Sequence, residues 1–176
     1  MRPIVLILRM IKWEHTVFAL PFALLSLLVA SAGRPAPATL LWIVLAMVGA
    51  RSTAMSFNRL VDARFDAANP RTAGREIPSG ALRRGPVVAF TLATATLFVF
   101  AAAMLNPLCL ALSPVALAIV WGYSLTKRFT AFSHLFLGLA LGVAPIGAWL
   151  AVTGSFAPFP LILAAAVLCW VAGFDI

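Results

Sequence analysis

The chain has 176 residues, 63% of them hydrophobic and 10% charged, with a mean hydropathy of +1.05 and a formal net charge of +8. A soluble domain carries about 25% charged residues, so this composition excludes an ordinary soluble enzyme and marks a polytopic membrane protein. The positive balance does not point to nucleic acid: most of the basic residues flank apolar segments, where they set topology, and no basic face has soluble structure around it. Cys109 and Cys169 each lie inside an apolar run and read as small core residues, while His15 and His134 are isolated, which leaves a disulfide or a zinc site without support.

Six apolar segments follow one another. Arg9, Lys12, Glu14 and His15 interrupt the early apolar stretch, and the first segment runs from about Thr16 to Ala32, ending at Gly33-Arg34-Pro35. It lacks a small-residue cleavage site and reads as a retained membrane helix. The second runs from about Thr39 to Phe57, the third from Pro86 to Leu105, the fourth from Leu108 to Leu125, the fifth from Phe132 to Val152, and the sixth from Pro158 to Phe174. Each is about 17–21 residues long, enough to cross a ~30 Å hydrocarbon core as a helix and too long and continuous for a barrel strand. Twelve of the 13 Lys and Arg residues fall on one side of this layout, and only Arg34 falls on the other. Six crossings with a cytoplasmic N-terminus require that distribution. They also return Asp175, at the end of the sixth segment, to the side that carries Asp62 and Asp66.

The second segment leads into Asn58-Arg59-Leu60-Val61-Asp62-Ala63-Arg64-Phe65-Asp66. Asn58, Asp62 and Asp66 share one helical face, and Arg51 lies about 20° to one side of Asn58 with Asp62 about 40° to the other. Oxygen-only ligands in such a cluster suit a hard divalent cation, usually Mg2+, which shares its coordination with phosphates. An arginine deep in an apolar segment costs about 2.5–3.5 kcal/mol if it faces lipid, so the stripe is expected to face a cavity or other helices. A structural Arg–Asp network at a helix end is the competing reading. Two carboxylates bind a diphosphate only through metal ions, with cationic side chains neutralising the remainder; Arg71, Arg75, Lys127 and Arg128 stand on the correct side for that task. The connection from Ala67 to Gly85 is long enough to read as a functional lid, or as an ordinary linker. Tyr123, the single tyrosine, pairs at i, i+4 with Lys127 and reads either as a site residue or as an interfacial anchor.

The run Asn58-Arg-x-x-Asp62-x-x-x-Asp66-x-x-Asn69-Pro70-Arg71-Thr72-x-x-Arg75-x-x-Pro78-x-Gly80 resembles the first aspartate-rich motif of the UbiA-type intramembrane aromatic prenyltransferases. Tyr123-Ser124-x-x-Lys127-Arg128 resembles the family's Tyr-x-x-x-Lys element, and Trp13-Glu14-His15-Thr16 with Phe18-Ala19-Leu20-Pro21-Phe22 is similar to the opening of its quinone-pathway members. The resemblance implies an all-α, polytopic transmembrane bundle of nine helices around a central cavity. Six of those helices are represented, so residues 1–176 read as the N-terminal portion of one membrane-embedded prenyltransferase domain. Asp175 looks like the first aspartate of the family's second motif.

The implied activity is Mg2+-dependent transfer of a polyprenyl group from polyprenyl diphosphate to an aromatic acid in a bacterial inner membrane. The acceptor is 4-hydroxybenzoate for ubiquinone, or alternatively a dihydroxynaphthoate for menaquinone. In this reading Asp62, Asp66 and Lys127 are catalytic, and Asn58, Asp62, Asp66 and Asp175 hold the metal. Asn58, Arg71, Arg75, Lys127 and Arg128 bind diphosphate, and Tyr123, Ser124 and Arg51 line the acceptor pocket. A transporter or channel fragment, with Asp and Arg lining a pathway, is the reading from another class; no repeat relates the first three segments to the last three.

Overall fold

The computed structural model describes residues 3–12, 19–126, 128–130 and 132–174. Those residues form seven α-helices and no strand. The first helix, α1 (Pro3–Ile11), corrects the reading of the N-terminus as an apolar stretch merely interrupted by charge. Its charge sits on an outer face, with Arg9 exposed, while Met10 and Ile11 are buried against Leu82 and Val87. The Met10 carbonyl lies in the last turn of α1 and accepts a hydrogen bond of 3.4 Å from Arg59 Nε.

The six expected segments appear as α2 (Leu20–Ala30), α3 (Pro37–Ala68), α4 (Arg84–Leu105), α5 (Pro107–Thr126), α6 (Ser133–Thr153) and α7 (Pro158–Phe174). Helices α3 to α6 are long and apolar enough to cross a membrane, and α2 and α7 are shorter apolar helices; the chain is an integral membrane protein. Helix α3 runs eleven residues past Phe57, where the apolar segment was expected to end, because no proline or glycine stops it before Asn69-Pro70. Its 32 residues measure about 48 Å, well beyond a ~30 Å hydrocarbon core, so its polar last turns reach the bilayer edge.

Small residues let the helices approach closely. A Cβ on Gly49 of α3 would stand 2.9 Å from Phe98 N on α4, and a Cβ on Gly138 of α6 would stand 2.7 Å from Leu168 O on α7. In a bilayer such backbone approach, together with interhelical hydrogen bonds, holds helices together where lipid is as apolar as leucine. Thr53 on α3 is the central tie: its hydroxyl donates to Thr91 O on α4 at 3.0 Å and accepts from Trp121 Nε1 on α5 at 3.1 Å. Phe57 stacks on Trp121 with centroids 5.2 Å apart. Ser26 Oγ on α2 donates to Pro145 O on α6 at 2.7 Å, and Asn106 joins the start of α5 to Leu150 O near the end of α6. Thr53→Val is expected to lower the melting temperature by several degrees without loss of insertion, since it leaves the half-buried Trp121 N–H without its acceptor; thermal unfolding in detergent checks this.

These contacts set the order of the ends. Arg59 meets the end of α1, Arg128 from the α5–α6 connection meets Val61 O, and the start of α6 lies against the end of α7 at Gly138 and Leu168. The polar end of α3, the loop after it, the α5–α6 connection and the last turns of α7 therefore gather at one end of the bundle.

Candidate functional site

The last three turns of α3 bury four polar side chains in succession: Asn58 and Arg59 at 8% exposure, Asp62 at 3% and Asp66 at 7%. Buried carboxylates require compensation, and here it arrives from two different connections. Arg75, from the loop after α3, places Nη1 at 2.8 Å from both Asp66 carboxylate oxygens. Arg128, from the α5–α6 connection, places Nη2 at 3.6 Å from Asp62 Oδ1. Its Nη2 also donates to Val61 O at 2.7 Å, and its guanidinium lies 4.9 Å from the centroid of the Phe65 ring.

The loop after α3 is folded back rather than extended. Thr72 Oγ1 donates to Asp66 O at 3.0 Å and satisfies a carbonyl that the helix end would otherwise leave open. The Thr72, Ala73 and Arg75 amides form successive turns, and Asn69 Oδ1 accepts from Arg71 N at 3.0 Å. This geometry delivers Arg75 to Asp66. Arg71 is exposed, and among the described residues no ion pair involves it.

Arg51 lies seven residues, about 10 Å of helix rise, from Asn58 toward the membrane interior. It lines an apolar cavity of about 390 Å³ between α3, α5 and α6. Tyr123 lines the same cavity and lies within electrostatic reach of the Arg51 guanidinium. Arg51 Nε is buried and has no hydrogen-bond partner among the described residues. Such a donor, in an apolar chamber, suits an anionic acceptor group. Ser124 is fully buried beside Tyr123 but does not line the cavity, and its hydroxyl is likewise unpaired among the described residues.

The structure thus brings Asp62, Asp66, Arg75 and Arg128 into one cluster, with Asn58 one turn below, and places Arg51 and Tyr123 together at a second location. Lys127 and Asp175 lie outside the described residues. Among those described, no group of three His, Cys, Asp or Glu side chains could hold a metal. Two carboxylates and an amide nevertheless fit Mg2+, which binds through one or two carboxylates and completes its shell with water and substrate phosphate. Arg59, Phe65 and Thr72 were missed as contributors. Arg59 and Phe65 look like a topology charge and an apolar residue, and their partners are 49 and 63 residues away in the chain; Thr72 carried a signal, as a Ser/Thr shortly after a helix end.

The model of the UbiA prenyltransferase family matches residues 19–176. This chain belongs to the UbiA prenyltransferase family. Among curated proteins, it is 33% identical over 161 residues to the protoheme IX farnesyltransferase of Methylococcus capsulatus, covering 89% of this chain and 52% of the relative. It is 29% identical over 167 residues to the 4-hydroxybenzoate octaprenyltransferase of Vibrio atlanticus, covering 95% of this chain and 59% of the relative. Among solved structures, the apo form of a UbiA homolog from Aeropyrum pernix K1 superposes with a TM-score of 0.83 at 35% identity, over 92% of this chain and 62% of that one. A UbiA homolog from Archaeoglobus fulgidus, bound to DMAPP and Mg2+, superposes at 0.73 with 18% identity over 97% and 61%, a likeness of fold. The UbiA chain described here therefore spans between half and two thirds of the length of these relatives.

Proposed function

We propose that residues 1–176 form the N-terminal, diphosphate-binding portion of a membrane-embedded prenyltransferase domain that joins a polyprenyl group to an aromatic acid, 4-hydroxybenzoate first. One observation carries this reading: a single stripe of α3 leads from an arginine in an apolar chamber to two buried carboxylates, each facing a guanidinium from a different connection. The positive end of the bundle is assigned to the cytoplasmic side of a bacterial inner membrane, with the N-terminus there, by its share of the basic residues.

In this mechanism Asp62 and Asp66, with Asn58 and Asp175, would hold Mg2+, and the ion would supply charge neutralisation to the leaving diphosphate. Arg75 and Arg128 are the counter-charges of Asp66 and Asp62. They exchange a carboxylate for diphosphate oxygens when substrate enters, and Lys127 and Arg71 add to that grip. The allylic C–O bond breaks with its electron pair leaving on the diphosphate. A new C–C bond forms to the aromatic ring, which then loses a proton. The apolar lining of the chamber keeps water from capturing the cation. Arg51 binds the acceptor carboxylate, with Tyr123 alongside; Ser124, which does not line the chamber, is left out of the acceptor contact.

The test uses the intact protein in lipid with polyprenyl diphosphate and Mg2+, offered 4-hydroxybenzoate, a dihydroxynaphthoate and protoheme in parallel. The last is included because a protoheme farnesyltransferase is among the relatives. Product from 4-hydroxybenzoate above the other two supports the reading; product from protoheme alone overturns the acceptor assignment. Arg51→Leu is expected to lower kcat/KM about 10²-fold for an acceptor bearing a carboxylate, and much less for the corresponding phenol without one. Equal losses for both acceptors would remove Arg51 from carboxylate recognition.

A further inference from the structure

A second recess of about 460 Å³ lies on the other side of the α3 end. Arg64, Arg83 and Arg84 line it, together with apolar and small residues of α3 and of the 77–82 turn. Arg64 is about 200° around the helix from Asp62, so this recess does not share the carboxylate face. No carboxylate lines it, and among the described residues no hydrogen bond or ion pair engages any of the three guanidiniums. All three residues are exposed. Their backbone is well anchored: Gly80 N donates to Ile77 O at 3.1 Å, Leu82 N donates to Glu76 O at 2.8 Å, and the Leu82 side chain is buried at 5% beside Val87 and the end of α1. Arg83 and Arg84 are therefore presented by a fixed turn.

What lies beneath them decides the ligand class. Arg84, Val88 and Leu92 recur at i, i+4 and i+8 along α4, which places them in one stripe. Val88 is 44% and Leu92 58% exposed, on a helix long and apolar enough to cross the bilayer. A free phosphate would use only the arginines. A phospholipid would use both parts: its phosphate in the arginine recess and an acyl chain down the α4 stripe. We propose that Arg64, Arg83 and Arg84 form a headgroup site for an anionic phospholipid of the leaflet at which α3 ends. The proposal is independent of the prenyl-transfer reading, because it uses another face of α3 and none of the diphosphate residues.

Native mass spectrometry of the intact protein released from micelles tests it, with phosphatidylglycerol and phosphatidylcholine offered in turn. The wild type is expected to retain phosphatidylglycerol selectively, with retention falling roughly fivefold for each arginine removed in Arg64→Gln, Arg83→Gln and Arg84→Gln variants. Arg34→Gln, at the opposite end of the bundle, is expected to leave retention unchanged. The triple Arg→Lys variant keeps the charge and is expected to retain selectivity; it serves as the reference if the triple Gln variant fails to fold, with the single Gln variants then carrying the comparison. Unchanged phosphatidylglycerol retention in the Gln variants overturns the site. Displacement of the lipid by soluble glycerol phosphate at equal concentration overturns the assignment to lipid.

Discussion

Replacing Asp62 by alanine in the intact protein is expected to abolish Mg2+-dependent prenyl transfer, lowering kcat by about 10³-fold or more, while the protein still inserts and folds. The size of the effect follows from position. Asp62 is 3% exposed, sits between Asn58 and Asp66 on one face, and faces Arg128 at 3.6 Å. Removal takes away half of the carboxylate pair proposed to hold the metal, and nothing else among the described residues supplies a third acidic ligand there. Folding is expected to survive because Arg128 keeps its bond to Val61 O and its contact with Phe65. Asp62→Asn, which keeps the shape and loses the charge, should be as inactive as the alanine variant. The measurement is product formation against Mg2+ concentration, with membrane extraction and thermal melting as folding controls. Substantial turnover by either variant would take Asp62 out of the mechanism.

The second large effect is structural and lies far along the chain. Gly138→Val is expected to destabilise the bundle by about 1–3 kcal/mol or more, because a side chain there meets backbone, which cannot turn aside. A Cβ at Gly138 would stand 2.7 Å from Leu168 O and 3.0 Å from Leu168 Cα, and one at Gly142 would stand 3.1 Å from Ala164 O. Gly142→Ala should therefore cost less than Gly138→Val. Gly147→Ala, where nothing lies within 4 Å, should cost nothing and gain slightly from helix propensity. Thermal unfolding of the three variants in one detergent gives the ranking, and wild-type melting of Gly138→Val would contradict the close α6–α7 contact. The effect should also reach activity, since α7 returns toward the end of the bundle that carries Asp62 and Asp66.

Much of this architecture was legible in the amino-acid order. Continuous apolar runs can satisfy backbone polar groups in a bilayer only as helices, so all six apolar segments could be placed as helices, four of them long enough to cross a membrane. The helical period alone put Asn58, Asp62 and Asp66 on one face with Arg51 near it. Two local features escaped. The α1 helix was hidden because Arg9 looked like an interruption, although it is exposed while Met10 and Ile11 are buried. Helix α3 appeared to stop at Phe57 because hydropathy reports membrane depth, whereas the helix itself continues until the backbone is broken near Pro70.

What the chain's own order determined was the class of molecule, the helices and the set of acidic and basic groups at one end. Tertiary structure alone decided which of those basic groups meets which carboxylate. Arg71 and Arg75 are equivalent by charge and neighbourhood, yet the turn held by Thr72 and Asn69 sends Arg75 to Asp66 and leaves Arg71 exposed. Arg128 reaches Asp62 across 66 residues of sequence because α5 packs along α3 through Trp121 and Thr53. The physical reason is range: helix formation and membrane partition depend on a few neighbouring residues, while pairing of buried charges depends on how distant helices pack.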